Sequence, residues 1–114
     1  MEERFMEQLK KGVLEMLVLE LVCQAPGYGY ELLTRLKQDS GGLFALKEGT
    51  LYPILYRLED EGMIQSSWSK GEGRTTPKKI YSATQAGMEY RLNQWELWKN
   101  LVATVNGFGE EHGK

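Results

Sequence analysis

The sequence of 114 residues has one cysteine, one histidine and three prolines, and each shortage excludes a class of function. A lone thiol, Cys23, forms no internal disulfide and no multi-thiolate metal site. Inside a helical apolar run it reads as a small buried hydrophobe. The histidine, His112, stands in a glycine-rich tail, and the acids are scattered over polar positions. No convergent set of nucleophile, acid–base or metal groups can be assembled from these, so neither catalysis nor a cofactor is expected. Long apolar runs are also missing. The longest, residues 13–23, is broken by Glu15 and Glu20, too short and too charged to span a bilayer, and no signal-peptide n-region precedes it, so neither a membrane span nor a signal peptide is expected and the protein reads as cytoplasmic. Positive charge is scarce too: the formal net charge is -2 and the sequence pI about 5.5, against the basic balance usual for nucleic-acid binding.

What is present is the composition of a globular domain, 41% apolar and 26% charged. The length suits a single core. Residues 5–25 carry apolar side chains at Phe5, Leu9, Val13, Met16, Leu17 and Val22 and predict a buried helix stopped by Pro26 and Gly27. Residues 28–38 repeat the helical spacing at Tyr28, Leu32, Leu33 and Leu36, and "DSGG" ends it. A third helix starts between Lys47 and Thr50, with Leu51, Ile54, Leu55 and Leu58 as its apolar stripe and Gly62 as its stop. Pro53 is tolerated because amides of the first turns have few partners to lose. Residues 64–69 and 78–83 then read as two short strands of a β-hairpin around the turn-rich "KGEGRTTP". Thr84 is a helix cap for residues 85 to about 106, which carry Met88, Leu92, Trp95, Trp98, Leu101, Val102 and Val105. The tail is expected to fray.

The order is helix, helix, helix, hairpin, helix. This predicts a mainly α (α+β) fold, a winged helix-turn-helix over residues 1–83, a carboxy-terminal dimerisation helix over 84–107 and a flexible tail over 108–114. The third helix is lopsided. Its stripe points inward, leaving Gly49, Thr50, Tyr52, Pro53 and Tyr56 as a small, uncharged surface at the amino-terminal half, while Glu59, Asp60 and Glu61 close the other end. Such a helix suits a DNA groove with its positive dipole end near phosphate and its acids turned away. Charge supports this locally. Residues 64–82 hold Lys70, Arg74, Lys78 and Lys79 against Glu72 alone. A lysine-rich hairpin also serves merely to keep an exposed edge soluble, and charge alone does not separate the two readings. Double-stranded DNA is thus the expected partner, and a winged helix that binds only protein through Tyr52 and Tyr56 is the alternative.

The segments "GYGYELLTRL", "GTLYPILYRLEDEGMI" and "KKIYSATQAG" resemble, in order and spacing, the PadR family of bacterial transcriptional regulators, over about residues 9–87. The last helix agrees in type and length. The resemblance implies a homodimer in which that helix crosses the partner's helices and two wings flank DNA, with repression released by a signal or small molecule. The wing tip "GRTTPKK" is less densely basic than in many members. Two apolar edges on the last helix, one through Met88, Leu92, Trp95 and Val102 and one through Trp98, Leu101 and Val105, agree with one face for the protomer's own core and one for a second copy. Trp95 and Trp98 share a helix face and are candidates to line a pocket for a small planar apolar effector. Packing at the dimer interface is the plainer role for both. Tyr52, likewise, has a plainer role as a residue bonded to the adjacent helix.

Overall fold

A computed structural model of the chain describes residues 1–70 and 76–112. Arg74 and the rest of the wing tip, residues 71–75, lie outside the described residues. Four helices and a small sheet follow in the order α1 (Glu2–Gln24), β1 (Gly27–Tyr28), α2 (Gly29–Asp39), α3 (Glu48–Asp60), β2 (Ile64–Trp68), β3 (Lys79–Ala83) and α4 (Gln85–His112). The architecture is a winged helix-turn-helix with a long last helix.

Local chemistry sets the boundaries. Glu2 and Glu3 sit in the first turn of α1, where acids complement the dipole, and Ala25 leaves the helix in extended backbone, as a residue before proline must. Arg35 of α2 then seals the end of α1, donating from Nη2 to the Leu21 carbonyl at 2.7 Å and from Nη1 to the Ala25 carbonyl at 3.0 Å. The carboxylate of Glu31 accepts from the Tyr28 amide at 3.1 Å and starts α2. The stop at Gly62 is as expected. Its amide bonds the Glu59 carbonyl at 3.0 Å, and the Met63 amide bonds Leu58 at 2.9 Å, which is the Schellman pattern. Thr84 caps α4, its hydroxyl accepting from the Gly87 amide at 3.0 Å and donating to the Gly62 carbonyl at 2.6 Å.

The sheet is antiparallel in the order β1-β3-β2, with Gly27 opposite Tyr81 and Tyr28 opposite Ile80 on one side, and Ile64 opposite Ala83 through Trp68 opposite Lys79 on the other. β1 corrects the sequence reading, which placed Tyr28 at the start of the second helix and expected no strand before it. Two residues are enough to pair when the partner strand already lies alongside. The core lies between α1, α2, α3 and the sheet, with Val18, Leu19, Leu32, Leu51, Leu55, Leu58, Ile64 and Tyr81 almost completely enclosed. Each such side chain contributes about 1.5–3 kcal/mol by leaving water.

Three expectations change. The first half of α1 is not buried: Phe5 is 63% and Leu9 49% exposed, because α1 runs beyond α2 and α3. The helix expected to end near residue 106 continues to His112, so the tail expected to be flexible from 108 is helical as far as it is described. Gly107 and Gly109 raise the cost of helix, about 1 kcal/mol each, without forbidding it, and no proline follows. Met88 and Leu92, assigned to the same edge as Trp95, face outward, while Trp95 and Val102 are partly covered. The phase of α4 is set by Gly87. A Cβ there would stand 1.9 Å from the Met63 carbonyl oxygen, so only glycine lets the helix come this close to the wing. That contact turns Arg91 and Trp95 toward α1 and leaves Leu97, Leu101, Val105 and Phe108 outside.

Candidate nucleic-acid interface

The outer face of α3 is divided into two flanks. Gly49 and Thr50 stand over a groove shared with α1, beside Lys11, Glu15, Pro53 and Arg57, where Arg57 Nε meets Glu15 Oε1 at 3.4 Å. Tyr52 and Tyr56 stand on the opposite flank, facing the wing. Their rings are 6.1 Å apart. Together with Tyr28, Gly29, Trp68, Lys78, Lys79 and Tyr81 they enclose a cleft of about 310 Å³. Of the residues read from the sequence, the fold therefore gathers Tyr52, Tyr56, Lys78 and Lys79. It places Gly49 and Thr50 around the corner, leaves Lys70 exposed at the end of the wing, and Arg74 lies outside the described residues.

Tyr52 is half-buried because it reaches across to α2. A Cβ on Gly29 would lie 2.2 Å from its hydroxyl oxygen, so the glycine opens the space that the phenol fills. Burial, then Glu48 and Tyr56, push its pKa up, so the hydroxyl stays protonated and able to donate. Tyr56 is half-exposed beside it. Lys78 places its ammonium 4.1 Å from the centroid of Tyr28, and Lys79 reaches over Tyr56 at 5.7 Å and Tyr81 at 5.5 Å. Lys79 also pairs with Glu59 at 3.7 Å, and the Ser66 hydroxyl donates to the same carboxylate. The acid of α3 nearest the wing is thereby neutralised within the fold.

Tyr81, Tyr28 and Trp68 were not singled out by sequence reasoning. Tyr81 is the central residue of β3, and its hydroxyl is shielded from water without a hydrogen-bond partner among the described residues. Burial first, then Tyr56, Glu59 and Tyr52, push its pKa up to about 12. Leaving a buried hydroxyl unpaired costs about 1–3 kcal/mol. Trp68 is 68% exposed at the end of β2 and shares the cleft with Lys78 and Lys79, and a tryptophan two residues from Lys70 was the signal available in "WSK".

The second group of residues lies on α4. Trp95 donates its indole N–H to Glu20 Oε1 at 2.7 Å, where Arg91 Nε also donates at 2.7 Å, and Gln24 donates to Oε2 at 2.8 Å. Burial opposes the Glu20 charge, but the bonds from Arg91, Trp95 and Gln24 outweigh it and hold the carboxyl below its usual range. Trp95 is thus engaged inside its own protomer. Trp98 instead borders an open cavity of about 410 Å³ with Leu9, Val13, Met16, Leu97 and Leu101. Among the described residues no helix is long and apolar enough to cross a membrane.

This arrangement has known counterparts. The chain is 32% identical to a PadR family transcriptional regulator of known structure from Eggerthella lenta, with a TM-score of 0.82 over 93% of this chain and 89% of that one. A transcriptional regulator from Clostridium thermocellum superposes with a TM-score of 0.80 at 28% identity, over 89% and 97% of the two chains. The negative transcriptional regulator PadR of Bacillus subtilis is 30% identical over 83 residues, which are 73% of this chain and 44% of that protein. The chain therefore spans less than half of that relative's length. A model of the transcriptional regulator PadR-like family matches residues 18–93, which take in α2, α3, the wing and the start of α4, and the chain belongs to that family.

Proposed function

We propose that this PadR-family regulator acts as a homodimeric repressor that binds a two-fold symmetric site on double-stranded DNA. The observation that carries this reading is the pairing of an uncharged, aromatic helix surface at Tyr52 and Tyr56 with Lys78 and Lys79 of the wing across one cleft. In this reading α3 enters the major groove with Gly49, Thr50, Tyr52 and Tyr56, while Lys70, Arg74, Lys78 and Lys79 meet the backbone. Dimerisation rests on the apolar face of α1 and α4, where Phe5, Leu9, Leu97, Leu101, Val105 and Phe108 are each about half-exposed or more. Repression, rather than activation, is supported by the name of the Bacillus subtilis relative, a negative transcriptional regulator. Enrichment of duplexes from a random pool tests the reading. Half-sites about one helical turn apart, or a multiple of it, are expected, and failure to enrich any duplex overturns it.

Relief by a planar apolar ligand belongs to the same proposal and rests on the cavity beside Trp98. Binding there is expected to quench Trp98 and weaken operator affinity together. Quenching that survives Trp98→Ala, or operator affinity unmoved by bound dye, would remove this part and leave DNA binding intact.

A further inference from the structure

Between its two flanks α3 presents a ridge. Gly49, Pro53 and Tyr56 fall at i, i+4 and i+7, opposite the buried Leu51, Ile54, Leu55 and Leu58, so they enter first when α3 meets a groove. This ridge bears no guanidinium, ammonium or amide side chain. α3 contains no lysine, asparagine or glutamine, and its one arginine, Arg57, lies on the α1 flank and pairs with Glu15 at 3.4 Å. The acids stand at the margins. Glu48, in the first turn, bears on the Tyr52 hydroxyl on the wing flank, Glu59 is held by Lys79 and Ser66, and Asp60 ends the helix beside Glu61.

Gly49 is the part of the ridge that the protomer does not explain. Its backbone is outside the left-handed region, and a Cβ there would meet nothing within 4 Å, whereas one on Gly29 or Gly87 would strike Tyr52 or the Met63 carbonyl. Glycine weakens a helix relative to alanine, so the bare backbone serves something that approaches from outside. Major-groove chemistry selects what that is. Guanine is read by paired donors from Arg or Lys, adenine by the amide of Asn or Gln, and the cytosine amino group by a carboxylate. Thymine offers a C5-methyl group, which asks only for an apolar surface. The ridge supplies that surface: bare backbone at Gly49, the ring of Pro53 and the ring of Tyr56, which is 50% exposed.

We infer that α3 reads thymine: C5-methyl groups of A·T pairs seat on Gly49, Pro53 and Tyr56, and the half-site is chosen by shape instead of paired hydrogen bonds. The inference rests on the DNA-binding reading above and deepens it by naming the base that the recognition helix selects. Gly49 sets the depth of entry, because a Cβ there would take the place of the methyl group it admits.

The test uses the full chain and a duplex that the wild-type protein enriches from a random pool. Replacing single thymines by deoxyuridine removes one methyl group and keeps every hydrogen bond of the pair. A loss of about fourfold in affinity is expected at one or more positions in each half-site, and none at thymines of the spacer. Gly49→Ala is expected to keep or raise the melting temperature, since alanine favours the helix and nothing stands in its way. It is nevertheless expected to weaken binding of the enriched duplex by about tenfold and to erase the deoxyuridine effect at the position it covers. Uridine sensitivity that is the same in Gly49→Ala as in the wild type overturns the seat on the ridge. If the duplex binds but no deoxyuridine substitution matters, and 7-deazaguanine, which lacks the N7 acceptor, abolishes binding instead, thymine reading is overturned and the DNA-binding reading stands. If the wild type enriches no duplex, both fall together.

Discussion

At the scale of single residues, two contacts carry more of the structure than their size suggests. Arg35 links two helices by bonding carbonyls at the end of α1, adding a second donor to Leu21, which also accepts from the Ala25 amide, and supplying one to Ala25. Arg35→Ala is expected to cost about 1–3 kcal/mol in urea denaturation, since it removes charge-assisted bonds and leaves the Leu21 carbonyl partly unsatisfied. Gly87→Ala is expected to be as damaging, by about 1–3 kcal/mol. The 1.9 Å approach is to backbone, which cannot swing aside, and this outweighs the gain in helix propensity. Glu20 gives a pH dependence. Its folded pKa is depressed, so its contribution is present above the unfolded carboxyl value and is lost as pH falls through the folded one. Acid titration of stability should therefore be shallower in Glu20→Gln than in the wild type below about pH 4.5, and unchanged stability profiles would show that the Arg91 and Trp95 bonds do little.

At the scale of elements, the four helices were legible because each carries either a 3.6-residue stripe or a stop signal that physics makes hard to misread. Leu51, Ile54, Leu55 and Leu58 all proved buried, and the stop at Gly62 closed α3 as expected. The hairpin was legible from the change of period alone. β1 was not, since two residues cannot display a period and their pairing depends on β3, more than fifty positions away. The site was half legible. Lysines and α3 tyrosines could be read from charge and from the helical wheel, whereas Tyr81 could not, because it lies in a strand whose inner face only the folded sheet defines. The choice between Trp95 and Trp98 was closed to sequence for a similar reason: both fit one wheel, and only the Gly87 contact fixes the phase. Trp95→Phe is accordingly expected to destabilise the protomer by about 1 kcal/mol by removing the bond to Glu20, and Trp98→Phe to leave protomer stability nearly unchanged, as thermal denaturation would reveal.

At the scale of the whole molecule, the protomer is too extended for its length. Its radius of gyration is 16.7 Å and its longest dimension 65 Å, where a compact chain of this length has a radius of about 13 Å. The excess is α4, a helix of 28 residues and about 42 Å whose residues 103–110 are all exposed. Leu97→Glu with Leu101→Glu should therefore convert the protein to a folded monomer at micromolar concentration, measured by light scattering with helical content retained; a dimer that survives both changes would place the interface elsewhere. The joint between α4 and the wing has a further mechanical consequence. β3 ends at Ala83 and α4 begins at Gln85, with Thr84 between them bonded to both sides and Gly87 seated on Met63. There is no slack in such a hinge. In the dimer proposed above, turning the axle of the last helix would carry the wing with it, so the angle between two copies and the spacing of their two wings would form a single degree of freedom.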